Sequence, residues 1–258
     1  MAQPSRTTRS IKAVAALVVG LAFLGGATGT AAPDRTAQAL GEPANLGLAK
    51  RDVVQYYRGW RDAQGHNHHS ADSPWGHDTE SEIDRAQSYL AARLGAGVDR
   101  PAIVLDIDDT SEITYGWQAD NDFGFDRARQ QAAIEQGVFE VIEPTLDLAR
   151  WADERGVRVY FITGRRDTLA GPSVRNLEHH GYPVAADRVY FKPTSNPAPY
   201  LTCGLSCRVG EFKDLTRAHI QDDLGDTIVL NVGDQHSDFD GGHAEREVKL
   251  PNPMYHVA

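Results

Sequence analysis

The chain has 258 residues, of which 41% are hydrophobic and 24% charged, enough to bury one large core and to exclude wholesale disorder. With 26 basic against 36 acidic residues the formal charge is −10, which fits a polyanionic partner such as a nucleic acid polymer poorly. A small phosphorylated ligand held by a few local cations stays compatible with it. Two cysteines exclude both a cysteine-rich mini-scaffold and a four-thiolate zinc site.

In chain order, Arg6, Arg9 and Lys12 precede an apolar run over residues 13–24, and the small residues GGATGTAA follow. This is the layout of a secretory signal peptide over residues 1–39, with cleavage expected after Ala32 or Ala39. The apolar run is too short for a membrane span, which takes about 20 residues. No cysteine lies near it and no paired arginines precede it. The expected product is a secreted protein with no membrane attachment.

Residues 40–99 read as an N-terminal helical segment. Leu46, Val53, Val54, Tyr57 and Trp60 recur at helical spacing. Residues 62–78 read as a polar loop. Its histidines, His66, His68, His69 and His77, lack a regular ligand spacing, so a solvated loop is preferred to a transition-metal site. Thr79 with Glu82 forms a capping-box pattern ahead of Ile83, Ala86, Leu90 and Leu94, and Gly95 reads as the C-terminal cap.

From residue 100 strands and helices alternate. Apolar runs at 102–106, 157–162, 188–191 and 227–232 read as strands. Residues 126–155, 173–180 and 211–223 read as largely helical, with Pro144 near a helix start and Gly156 and Gly181 just past helix ends. The alternation predicts an α/β fold with a parallel sheet between helical layers.

The chemistry-bearing residues cluster where such a sheet binds ligands, beyond the carboxyl ends of its strands. Asp106, Asp108 and Asp109 follow the first strand, Thr163-Gly164-Arg165 the second, and Asp234 and Asp238 the fourth; Lys213 lies in the helix before it. Neither Asp106 nor Asp234 begins an EF-hand loop, because position six is Ser111 or Phe239 where glycine is needed. An all-oxygen carboxylate set without thiolates suits Mg²⁺, while Lys213 and the Thr163 hydroxyl suit a phosphate. The residues alone do not decide which carboxylate would attack. Lys192, after the third strand, is a rival phosphate-binding lysine, and Arg165 and Arg217, which could assist, read as surface or structural ion-pair partners. His236 is placed at the site mouth. Cys203 and Cys207, behind a signal peptide, are expected to form a local disulfide.

The four motifs, 57, 50 and 21 residues apart from Asp106 through Thr163 and Lys213 to Asp234, resemble those of the haloacid dehalogenase (HAD) superfamily of phosphohydrolases. The stretches FITGRRD and GDQHSDFDGG…KLPNPMY are similar to the secreted class B acid phosphatase and plant acid phosphatase family. The resemblance covers about residues 100–255 and implies a three-layer Rossmann-like parallel sheet over 100–258, with a small helical cap inserted at about 111–141. It implies hydrolysis of small phosphate monoesters through an aspartyl-phosphate. Asp106 would be the nucleophile and Asp108 the general acid and base. Thr163, Gly164 and Lys213 would bind phosphate. Mg²⁺ would be held by Asp106, the Asp108 carbonyl and Asp234, with Asp238 close by. A phosphotransferase using the same intermediate, or a non-catalytic storage protein, is the alternative; the full set of motif residues weighs against the latter. The cap carries no recognisable substrate code, although Tyr115, Trp117 and Phe123 are aromatic.

Overall fold

The computed structural model describes residues 43–257, so the signal-peptide assignment falls outside the described residues. Helix α1 (Leu46–Tyr56) is capped by the Asn45 side chain, which accepts from Leu48 N at 3.0 Å. Strand β1 (Trp60–Arg61), in the stretch whose periodicity was expected to be helical, and β2 (Asn67–His68), within the expected loop, form a short antiparallel pair. Helix α2 (Pro74–Gly95) starts five residues earlier than Thr79. Ser73 takes the cap position, its hydroxyl accepting from Gly76 N at 3.0 Å, and Pro74 supplies a preset first turn. The left-handed turn that ends α2 falls at Gly97 (φ 76°) rather than Gly95.

Strand β3 (Pro101–Leu105) leads into β4 (Glu112–Ile113), α3 (Tyr115–Asp120), α4 (Arg127–Gln136) and β5 (Glu140–Val141). Because β4 and β5 pair antiparallel, the inserted segment is a small ribbon carrying two helices rather than helices alone. Helix α5 (Glu143–Asp153), β6 (Arg158–Arg166), α6 (Ala170–His180), β7 (Val189–Lys192), α7 (Val209–Asp222), β8 (Thr227–Gly233) and β9 (Arg246–Lys249) complete the chain. Gly181 closes α6 in the left-handed conformation at φ 87°, which costs glycine little.

The main sheet has the order β7-β6-β3-β8-β9, every pair parallel. The fifth strand, β9, has no counterpart among the strands expected from sequence. It is a four-residue edge strand, REVK, with only Val248 fully buried, so it shows no apolar run.

Alternation along the strands makes two cores. Ile103, Leu105, Val159 and Phe161 pack with residues of α2, α5 and α6; Ala102, Val104, Tyr160 and Ile162 pack with Phe212 and Ile220 of α7. The result is a three-layer α/β sandwich. From β3 the chain winds outward through β6 to β7, then returns to β8 on the opposite side of β3. The crevice beyond the carboxyl ends of β3 and β8 is therefore a topological switch point, where open α/β sheets bind ligands.

Candidate active site

The register of the sheet brings the separated motifs together. Leu105 of β3 is paired with Phe161 of β6 and Val232 of β8. Asp106 thus leaves the sheet beside Thr163 and Asp234, its amide still donating to Val232 O at 3.0 Å. The chain then turns sharply. Ser111 N and Glu112 N both donate to Ile107 O at 2.8 Å, and the Ser111 hydroxyl donates to Asp106 O at 2.6 Å. Asp109 adopts φ 53°, a strained conformation for a non-glycine residue. Its buried carboxylate offsets this by accepting from Thr114 N, Thr114 Oγ1 and Tyr255 Oη at 2.9, 2.6 and 2.7 Å.

Lys213 projects from α7 into this crevice. Its ammonium lies 2.7 Å from Asp106 Oδ1 and 2.6 Å from Asp238 Oδ1. Burial works against the charged lysine, but the two carboxylates outweigh it and hold Lys213 protonated well above its ordinary range. Asp238 Oδ2 accepts from Gln235 N at 2.9 Å, closing the turn after β8. Gly233 is needed there because a Cβ would overlap the Asp238 carboxylate.

Asp106, Asp234 and Asp238 each offer an oxygen, and these atoms lie within 4.8 Å of one another. All three residues are buried, and among the described residues Lys213 is the one cation paired with Asp106 and Asp238. Burial pushes the Asp106 carboxyl well up, opposed by Lys213 and reinforced by Asp238 and Asp234. It pushes Asp234 up to about 7, with the Asp238 and Asp109 charges adding to the effect. Asp234 Oδ1 is buried without a hydrogen-bond partner, whereas Oδ2 has two donors. A hard divalent cation resolves both the repulsion and the orphaned oxygen, so the residues present fit a metal of that class.

Asp108 lies apart from this cluster. Its carboxylate is held by Arg165, with Nε to Oδ2 at 3.0 Å and Nη2 to Oδ1 at 2.8 Å. Arg165 also binds Glu112 Oε2 at 2.8 Å and the Ser173 hydroxyl at 3.1 Å, and its guanidinium sits 5.7 Å over the Phe139 ring. Arg165 is thus the residue that fixes the Asp108 carboxylate, and Glu112 is the buried counter-charge behind it.

Thr163 and Gly164 lie within β6 rather than after it, because β6 continues past a bulge to pair Arg166 with Lys192. The buried Thr163 hydroxyl accepts from Arg165 N at 3.2 Å. Lys192 ends the edge strand β7, separated from β3 by β6, and does not join the cluster. Arg217 is buried and donates to the Asp238, Asp240 and Gly242 carbonyls, which staples the turn after β8 to α7. His236 is exposed on that turn. Cys203 and Cys207 are bonded to each other just before α7, with Cα atoms 5.0 Å apart.

Tyr115 and Phe123 belong to an aromatic core: Tyr57 stacks on Tyr115 at 4.4 Å and on Trp75 at 5.2 Å, and Phe123 packs beside Tyr115. Trp117 packs edge-on to Phe139. The histidines of the N-terminal hairpin are not free in solvent. His66 pairs with Asp120, and His68 and His69 with Glu140, joining the hairpin to the inserted segment.

Arg165 and Gln235 stand within the motifs read from sequence, Arg165 as an ion-pair partner and Gln235 without a role, whereas Glu112, Asn252 and Tyr255 are not reached as site residues. The stretch TGRRD marks Arg165, GDQHSDFDGG marks Gln235 and the tail KLPNPMY marks Asn252 and Tyr255; Glu112 lies in none of them.

A three-layer parallel sheet with carboxylates, a lysine and a buried threonine at its switch point defines a class, the HAD-like phosphohydrolases. A family model described as "HAD superfamily, subfamily IIIB (Acid phosphatase)" matches residues 62–258. The chain belongs to this family, and it is accordingly a phosphomonoesterase that hydrolyses small phosphorylated substrates. It is 27% identical over 185 residues to Acid phosphatase 1 of Solanum lycopersicum, covering 68% of each chain. Among solved structures it is similar to the class C acid phosphatase of Bacillus anthracis, at 21% identity and TM-score 0.60, covering 81% of this chain and 86% of that one. A structure of that enzyme with tungstate bound gives a TM-score of 0.61 at the same identity and coverage. Phosphatases of this superfamily generally use a divalent metal, and the carboxylate cluster is where this chain would hold one.

Proposed function

We propose that the protein is an exported, Mg²⁺-dependent acid phosphatase that works through an aspartyl-phosphate on Asp106. The observation carrying this reading is the pairing of a buried Asp106–Lys213 site with a second carboxylate, Asp108, two residues on and held separately by Arg165. Two neighbouring carboxylates in different environments can take different roles.

In the first step an Asp106 oxygen attacks phosphorus, the new oxygen–phosphorus bond forms, and the ester bond breaks. Asp108 gives its proton to the departing alkoxide. In the second step Asp108 takes a proton from water, which attacks the phosphoryl group and releases inorganic phosphate and the free Asp106 carboxylate. Thr163 and Lys213 bind phosphoryl oxygens, and Lys213 offsets the charge that accumulates. Mg²⁺, held by Asp106, the Asp108 carbonyl and Asp234 with Asp238 beside them, would supply further charge neutralisation when bound. Oxygen-only ligands support Mg²⁺ over softer metals. Export is supported by the composition of residues 1–39.

The test combines chelation with leaving-group dependence. EDTA abolishes turnover and Mg²⁺ restores it. Asp106→Asn loses essentially all turnover. Asp108→Asn slows an alkyl ester more than an aryl ester in single-turnover assays and accumulates aspartyl-phosphate, because a good leaving group needs little protonation. Equal slowing of both esters, or an active Asp106→Asn variant, overturns the assigned roles. Amino-terminal sequencing of the exported protein tests cleavage after Ala32 or Ala39.

A further inference from the structure

The segment after β9 makes a series of contacts that the mechanism does not use. Leu250 N donates to Gly233 O at 2.8 Å, so the chain leaves the sheet beside the end of β8. Pro251 O accepts from Trp75 Nε1 at 3.1 Å, which ties the segment to α2. Asn252 Nδ2 then donates to Asp234 Oδ2 at 2.6 Å, and Gln235 Nε2 donates to the same oxygen at 2.7 Å. Neither amide is free to turn its carbonyl toward Asp234. Asn252 Oδ1 accepts from Met254 N at 2.9 Å, and Gln235 Oε1 accepts from Val257 N at 3.0 Å. Tyr255 completes the arrangement by donating its hydroxyl to Asp109 at 2.7 Å.

The consequence falls on one carboxylate. With two amide donors on Oδ2, the Asp234 side chain is fixed in rotation, and Oδ1 is left buried and unpartnered within the three-aspartate cluster. A carboxylate with one oxygen saturated and the other bare is set to ligate through the bare one. Donors behind a metal ligand that fix its orientation are worth about 10–100-fold in metal affinity.

We propose that residues 251–257 act as a strap that presets Asp234 for a divalent cation, with Asn252 the principal positioning residue and Gln235 its partner. Asn252 touches neither substrate nor the reacting atoms; it acts through Asp234. The proposal rests on the metal-dependent reading above, and goes beyond it in assigning ligand geometry to a segment outside the four motifs.

The test is Mg²⁺ titration of the metal-free protein by calorimetry, with thermal melting in EDTA and in Mg²⁺. Asn252→Ser keeps a short hydroxyl that can hold Met254 N in a turn but does not reach Asp234. The expected result is Mg²⁺ affinity weakened at least about tenfold. The melting temperature in EDTA stays near that of the wild type, and the rise on adding Mg²⁺ shrinks. An affinity within about twofold of wild type, with the wild type binding Mg²⁺ normally, overturns the strap and leaves the metal reading standing. A wild type that shows no Mg²⁺ binding overturns the metal reading and the strap with it. An Asn252→Ser chain that fails to fold, or that loses as much stability in EDTA as in Mg²⁺, makes the contact structural and also overturns the strap.

Discussion

Replacing Arg165 separates folding from chemistry in this site. The Arg165 side chain is 2% exposed and binds two carboxylates, Glu112 at 0% exposure and Asp108 at 18%. Arg165→Met keeps the apolar stem but leaves Glu112 buried without its counter-charge. Breaking a buried ion pair from one side costs about 3–5 kcal/mol. For a protein of this size that lowers the melting temperature by about 6–20 °C. Burial already raises the Glu112 carboxyl, and the Arg165 charge opposes the rise. Without Arg165 the folded-state pKa climbs further, so the variant loses stability as pH rises above the ordinary glutamate range. Its deficit is therefore larger near neutral pH than near pH 5. Glu112→Gln added to Arg165→Met removes the stranded charge and recovers most of the stability. It does not recover activity, because Asp108 still lacks its two hydrogen bonds. The residual loss in kcat/KM on an alkyl phosphate is bounded by the value of general acid–base help, about 10²–10⁴-fold. Urea and thermal melts at two pH values, with turnover of the single and double variants, measure both effects. If the double variant regains stability and activity together, Arg165 serves only folding; if the single variant loses under about 1 kcal/mol, the buried pair is not as described.

Three further outcomes are expected. Lys213→Met leaves Asp106 and Asp238 buried without their shared ammonium, so melting in EDTA reveals a loss of about 3–5 kcal/mol, and an unchanged melt refutes the ion-pair account. His68 offers both ring nitrogens to carboxylates, Nδ1 to Glu140 and Nε2 to Asp62, which only the imidazolium can satisfy as donor twice. The Glu140 and Asp62 hydrogen bonds raise its pKa, while His69 and His68 hold Glu140 down to about 2. The stability this contributes is present below the ordinary histidine pKa and above that of glutamate, and it is lost as pH rises through the folded-state value. The wild type should therefore lose melting temperature above about pH 7 more steeply than His68→Asn, and parallel profiles would refute the linkage. Reducing the Cys203–Cys207 disulfide, which closes a very short loop, should cost no more than about 2 kcal/mol by chain entropy; a larger loss points to a role in holding α7.

Local signals in the sequence are enough for the central architecture. The apolar runs before Asp106, Thr163 and Asp234 determine strands, and the intervening helical periodicity and terminal glycines determine parallel crossovers, because both follow from burial period and backbone sterics acting over a few residues. The same adjacency puts Asp106, Thr163 and Asp234 at or near strand ends. Elements whose partners are distant are not legible in this way. The edge strand β9 buries one side chain and forms only because β8 offers it a free edge. Helix α2 starts at Ser73 and Pro74 rather than Thr79, since Trp75 has a buried place to occupy beneath Pro251. The difference in environment between the two carboxylates is likewise a tertiary matter. Asp106 and Asp108 are nearly identical in local sequence context. Only the fold sets Lys213 against one and Arg165 against the other, from helix α7 and strand β6, both distant along the chain. Charge environment depends on what approaches through space in a low-dielectric crevice, and spacing along the chain carries no record of it.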